Sequence, residues 1–169
     1  PPTPSIGLVG KGQVRTWQRA PEGTLLALVG ETRPEFGGSV MDAVTGCGGD
    51  APATADIGVL GRIRDLVNAG SCLAATDLSQ GGLLAALAAL SPGARVTLEG
   101  DPVTALFSES YGRFLLSVRD ESRLAGLPHR ILGEAGGDGL RITAGKERLV
   151  LTAEELRRYH GAVTTLMRD

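Results

Sequence analysis

The sequence predicts an α+β fold, a mixed β-sheet with helices packed on its faces. Three observations predict it. Short apolar runs of strand length recur along the chain. Two longer segments, at about 55–69 and 81–90, carry helical apolar patterns. Strands and helices mix without the strict alternation of a purely parallel fold.

The elements follow in order. Residues 5–9 (SIGLV) and 24–29 (TLLALV) read as strands joined by a polar loop around Trp17. ETRPEFGGS (31–39) is a loop that opens a short helix near Val40. In the helix at about 55–69, Ile57, Leu60, Arg64 and Val67 lie near one face, widened by Ile63 and Leu66. Thr54 is placed to cap its start and Gly70 to end it. SCLAAT (71–76) is a short buried strand. The helix at 81–90 is apolar all round and should be covered on most sides. Further strands are expected at 94–98, 113–118, 129–134, 139–143 and 147–151. The last helix, 153–168, opens with Thr152 and Glu155 at capping-box spacing.

Composition narrows the function. At 169 residues the chain is read as a single domain, 1–169, with a stiff proline-rich lead at 1–4 that resembles an interdomain linker. The blunt PPTPSIG start is read as a piece of something longer. Hydrophobic residues make up 42% but aromatics only 4%, so the core must be aliphatic. A net charge of −2 gives no general attraction to nucleic acid or to an anionic membrane. No apolar run reaches the ~18 residues of a membrane span. Cys47 and Cys72 form no disulfide framework and no zinc pattern, which favours a reduced, cytoplasmic setting.

The chemistry concentrates in ATDLSQGGLLAALAAL (75–90). Asp77 stands where a strand ends, and Ser79, Gly81 and Gly82 form the turn into a helix. Free N–H groups at a helix start attract anions, glycine lets a ligand approach the backbone, and Ser79 adds a hydroxyl. A phosphate there brings magnesium, which takes carboxylate and phosphate oxygens, and Asp77 can supply the former. The plainer reading is that Ser79 caps the helix while Asp77 favours its positive end. ETRPEFGGS is either a phosphate-contacting loop or a loop-to-helix turn, and it is no Walker A motif. In LFSESYGRF (106–114), Ser108 or Ser110 is read as a turn cap and Glu109 as the ion-pair partner of Arg113 four residues on. His129 and His160 have no nearby Cys or second His to make a metal site.

Four blocks in order, PPTPSIGLVG (1–10), LVGETRPEFGGS (28–39), ATDLSQGGLLAALAAL (75–90) and LFSESYGRFLLSV (106–118), resemble the last domain of the large subunit of formylglycinamidine ribonucleotide synthase, in its small multi-subunit form. ELRRYHGAVTTLM (155–167) is similar to that family's C-terminus. The wider superfamily includes aminoimidazole ribonucleotide synthetase and selenophosphate synthetase. The resemblance implies an ATP-dependent C–N ligase of purine biosynthesis, using ATP/ADP and Mg2+. Its partners are a preceding ATP-binding domain, a glutaminase subunit and a small accessory subunit. Asp77 then inherits a metal role, and Ser79, Gly81 and Gly82 a nucleotide role, in an auxiliary site; the family's histidine before the aspartate is Thr76 here. Glu109 and Ser110 occupy the place of a substrate-contacting loop, with Tyr111 where the family has Gln. No catalytic residue is assigned, because the family's catalytic histidine lies in another domain. A stand-alone nucleotide-binding module, or the same domain of a selenophosphate synthetase, is the alternative.

Overall fold

A computed structural model describes residues 19–53 and 57–158. The expected strand 5–9, Trp17, the Thr54 cap, His160 and the end of the last helix lie outside them. Among the described residues seven strands form one sheet: β1 (Leu25–Val29), β2 (Ala74–Asp77), β3 (Ala94–Leu98), β4 (Phe114–Val118), β5 (His129–Ala135), β6 (Leu140–Ala144) and β7 (Glu147–Leu151). Their order across the sheet is β2-β4-β1-β5-β3-β6-β7. The described helices are α1 (Val40–Thr45), α2 (Ile57–Asn68), α3 (Gly82–Leu90), α4 (Pro102–Phe107) and a last helix at 153–158, with a 3-10 turn at Glu121–Leu124. No described helix is long and apolar enough to cross a membrane.

The interior strand β1 explains the two-sided core. In β1, Leu26 and Leu28 enter one apolar cluster, whereas Ala27 and Val29 enter the other. Side chains alternate across a strand, so LLALV must be apolar throughout to be covered on both faces. Leu83, Leu87 and Leu90 of α3, at 1%, 0% and 0% exposure, and Leu106 of α4 fill the first cluster. Burying each such leucine contributes about 1.5–3 kcal/mol. Ile63 of α2 fills the second cluster with Cys72, Leu124 and Leu127. The outward side of α3 is less covered than its composition predicts, because small residues suffice there: Ala85 is exposed, and Leu84, Ala88 and Ala89 are half-buried.

Strand direction sets where a site can form. β1 and β2 are both antiparallel to β4, and β3 and β1 are both antiparallel to β5. β6 runs parallel to β3. The carboxyl ends of β1, β2, β3 and β6 therefore share one edge, the place where ligands of open sheets gather.

The caps divide into those the sequence foretells and those it does not. Thr152 and Glu155 form the reciprocal capping box: the Thr152 N–H donates to Glu155 Oε2 at 2.8 Å, and the Glu155 N–H donates to Thr152 Oγ1 at 3.2 Å. Gly70, at φ +71°, follows the end of α2. Helix α4 was not expected. Its signal is Asp101-Pro102: the Asp101 carboxylate accepts the Thr104 N–H at 2.7 Å, and proline starts the helix. Cys47 is exposed and Cys72 buried, with no disulfide between them.

Candidate functional site

Asp77 is the last residue of β2 and is exposed at the shared strand edge, as are Ser79 and Gln80 beyond it. Leu78, only 4% exposed, anchors the turn between them, and its N–H donates to the Arg113 carbonyl at 2.9 Å. Asp77 and Ser79 thus stand on the surface while the residue between them points into the core.

The glycines behave differently from the expectation. Gly81, at φ +81°, is the N-cap of α3 and brings no side-chain cap, so Ser79 does not cap the helix. The Gly81 N–H donates to Glu109 Oε1 at 2.8 Å, and the Gly82 N–H donates to the Ser79 carbonyl at 3.0 Å. Neither amide is left to face a ligand. A Cβ on Gly82 would lie 2.7 Å from the carbonyl oxygens of Leu106 and Ser108. The bareness of Gly82 therefore serves the close passage of the 106–108 backbone.

Glu109 is not paired with Arg113, which corrects the helical-spacing expectation. Residues 108–113 are not helical, so the four-residue rule does not operate there. Instead Glu109 Oε1 accepts two backbone N–H groups, from Gly81 at 2.8 Å and from Val40 at 2.9 Å. One oxygen thereby serves the starts of both α3 and α1. Ser108 and Ser110 hold the 31–35 strap. The Ser108 hydroxyl donates to the Arg33 carbonyl, and the Arg33 N–H donates to Ser110 Oγ at 3.1 Å.

Behind them lies a buried polar cluster with no local sequence signal. Arg113 is 1% exposed. Its guanidinium donates to Thr32 Oγ1 at 2.9 Å, to the Ser110 carbonyl at 3.4 Å and to the Ser108 carbonyl. Burial pushes its pKa down to about 10, against the pull of Glu35 and Glu109. Glu35 is also buried; its Oε1 accepts the Ala53 N–H at 3.1 Å, and Arg33 lies 3.7 Å away. Burial pushes the Glu35 carboxyl up, but the neighbouring Ser110 hydroxyl, the Ala53 N–H and Arg33 outweigh it and hold the carboxyl below its ordinary value. Even so, Glu35 Oε2 has no partner within hydrogen-bond geometry.

A stability–pH prediction follows from this cluster. A carboxyl held low in the fold binds fewer protons than in the unfolded chain, so stability rises with pH across that window. The contribution is complete above the ordinary value of 4.5 and is lost as pH falls through the lower folded value. Thermal melts from pH 7 to pH 3 should show Glu35→Gln with a shallower acid decline than the parent. Parallel declines would show that Glu35 carries none of it. Asp42, Asp101, Asp120 and Glu155, held low by backbone N–H and neighbouring hydroxyl donors, add slope of the same sign.

The loop 31–39 is a loop-to-helix turn. Ser39 caps α1 by accepting the Asp42 N–H at 3.1 Å. The Gly38 and Gly48 N–H groups donate to the Asp42 carboxylate at 3.1 and 2.7 Å. Those amides are spent internally. Next along the shared edge, a groove of about 650 Å³ opens among Gly30, Thr32, Glu99, Asp101, His129 and Arg130. None of Asp77, Ser79, Gly81 or Gly82 lines it. His129 is held by the Leu127 carbonyl at 2.7 Å and Glu121 at 3.3 Å. Among the described residues no group of three or more His, Cys, Asp or Glu is placed to hold a metal ion. Asp77 is a single exposed carboxylate, and among the described residues no other acid, His or Cys is grouped with it to complete a metal-ligand set.

The architecture is the α+β fold of aminoimidazole ribonucleotide synthetase-like domains, shared by two groups of solved structures. Thermotoga maritima PurL complexed with FGAR overlays at a TM-score of 0.69 and 16% identity, covering 83% of this chain and 29% of that one. Its complex with ATP gives 0.64 and 18%, covering 83% and 26%. The HypE–HypF complex gives 0.53 and 17%, covering 79% and 54%. At such identities these likenesses show the fold alone. No family model matches the chain. Sequence relatives carry the particular assignment. The chain is 34% identical over 186 residues to the phosphoribosylformylglycinamidine synthase subunit PurL of Methanosarcina acetivorans, covering 99% of this chain and 26% of the relative. It is 36% identical over 178 residues to that subunit of Thermus thermophilus, covering 92% and 24%. Over nearly its whole length the chain matches one part of the PurL subunits of phosphoribosylformylglycinamidine synthase, as a domain of such a subunit would, and it spans about a quarter of the length of the curated relatives it matches.

Proposed function

We propose that this chain is the C-terminal nucleotide-contacting and scaffolding domain of a PurL-type subunit. The parent enzyme then makes formylglycinamidine ribonucleotide from formylglycinamide ribonucleotide, ATP and glutamine-derived ammonia, in cytoplasmic purine biosynthesis. The substrate amide oxygen is activated by phosphorylation and displaced by ammonia. The observation that carries the reading is the exposed pair Asp77 and Ser79 at a strand's carboxyl end, within a chain related to PurL over its length. The Asp77 carboxylate would bind magnesium, and the Ser79 hydroxyl would donate to a nucleotide phosphate. A magnesium ion there would offset phosphate charge. Gly81 and Gly82 would shape the turn, since their amides are already engaged. Glu109 and Ser110, tied to the backbone of α1, α3 and the 31–35 strap, would act as framework and not as a substrate loop. The other metal ligands would come from a preceding ATP-binding domain. The partners would be a glutaminase and a small accessory subunit, in keeping with the PurLQS assembly solved from Thermotoga maritima.

Two measurements test this. The chain alone, given the ribonucleotide, ATP and ammonia, should release no ADP above blank; turnover by clean material overturns the domain reading. Titrated with Mg-ADP, it should bind with a dissociation constant above about a millimolar, or roughly −4 kcal/mol, because one carboxylate holds magnesium poorly. Asp77→Ala should abolish that binding. Undiminished binding by Asp77→Ala would leave the stretch as a plain strand-to-helix turn, the reading favoured by the internal bonding of both glycine amides.

A further inference from the structure

We infer that Glu109 is a positioning residue for the Asp77–Ser79 surface: a single carboxylate oxygen couples the start of α1 to the start of α3. The inference rests on the nucleotide-site reading for its purpose, but the coupling itself stands on geometry. Helix α3 begins at a glycine with no side-chain cap. A helix start leaves N–H groups without partners, and a carboxylate is the acceptor best suited to them. Here that acceptor comes from a residue 28 positions away, and its Oε1 lies 2.8 Å from the Gly81 nitrogen. The same atom lies 2.9 Å from the Val40 nitrogen, 69 positions away.

The 106–113 segment acts as a template for the turn. It touches the turn at three points: the Arg113 carbonyl takes the Leu78 N–H, Glu109 takes the Gly81 N–H, and the Leu106 and Ser108 carbonyls lie against Gly82. Asp77 and Ser79, exposed on either side of Leu78, have no such ties to that segment. Their orientation is inherited from the residues on either side of them. Of the three contacts only Glu109 acts through a side chain, so only it can be removed without altering the backbone.

Backbone amide resonances of the protein read the coupling without any ligand. Glu109→Ala should lower the hydrogen-exchange protection of both the Val40 and the Gly81 amide, whereas Glu109→Gln, whose carbonyl still accepts both donors, should keep both protected. In Ser39→Ala, which removes only the local cap of α1, Gly81 should keep its protection. Mg-ADP then reads the purpose. Shift changes at Ser79 should require about tenfold more nucleotide in Glu109→Ala, the size of a lost cap, and Glu109→Gln should restore most of the loss. Loss of protection at only one of the two amides in Glu109→Ala, or at neither, overturns the coupling. Glu109→Ala binding Mg-ADP as the parent does overturns the positioning role. A parent that binds no Mg-ADP, with both amides losing protection together in Glu109→Ala, refutes the nucleotide reading and leaves the coupling established.

Discussion

Arg113→Met is expected to lower stability by about 3–5 kcal/mol, the cost of breaking a buried charge cluster by removing one partner. For a chain of this size that lowers Tm by about 10 °C. The reason is the number of groups that depend on one side chain. Arg113 is 1% exposed and donates to Thr32 Oγ1 and to the carbonyls of Ser108 and Ser110. Methionine fills the volume and satisfies none of them. Glu35, buried with one oxygen already unpartnered, would lose a compensating cation. Arg113→Lys should recover only part of the loss, because an ammonium cannot reproduce a fork aimed at three acceptors. Glu35→Gln added to Arg113→Met should soften the effect, since groups in one network couple. Denaturant melts check all three variants. A loss under about 1 kcal/mol for Arg113→Met would mean that the cluster is wet and exchangeable, as exposed pairs are.

The sheet was legible from short apolar runs of strand length, whether apolar throughout or alternating. LLALV is buried on both faces, and ARVTL alternates buried and exposed. Helix α2 was legible from its apolar stripe, and α3 from nine residues in which only Gly82 is neither Leu nor Ala. Helix α4 was missed although Asp101-Pro102 announces it, because its six residues are too few to show a period. The site was legible only where it is local. Asp77 falls at the end of its strand as expected, because strand and turn are consecutive in the chain. The partners of Gly81, Val40 and Glu35 lie 28, 69 and 18 positions away. No spacing rule reaches across such intervals, so Glu109 was paired with its nearest cation. The fold instead placed its carboxylate between two helix starts. Arginine is almost never fully buried unless its donors are met, so nothing local marks Arg113 as buried. Only the arrangement of the 31–35 strap and the 106–110 segment around it reveals the acceptors that let it be buried.

Gly82→Ala is the variant that best separates packing from ligand access at the opening of α3. Its expected cost is about 3 kcal/mol, from left-handed backbone strain together with overpacking. Gly82 sits at φ +63°, and an added Cβ would lie 2.7 Å from two backbone carbonyl oxygens, those of Leu106 and Ser108. A backbone cannot swing aside as a side-chain tip can, so α3 and the 106–108 segment must move apart. That segment leads directly to Glu109, so the same motion loosens the Gly81 N–H bond. Gly100→Ala is the control. Gly100 has φ +83° with nothing within 4 Å of the added Cβ, so only the strain, about 1 kcal/mol, should appear. The difference between the two variants isolates the close approach. If Gly82→Ala costs no more than Gly100→Ala, the segment yields easily and close packing is not why a glycine stands there. The bare backbone would then be kept for a ligand, and the same variant should lose Mg-ADP while remaining folded. If instead Gly82→Ala melts well below Gly100→Ala, the glycine is framework, and the proposed nucleotide contact would rest on Asp77 and Ser79 alone.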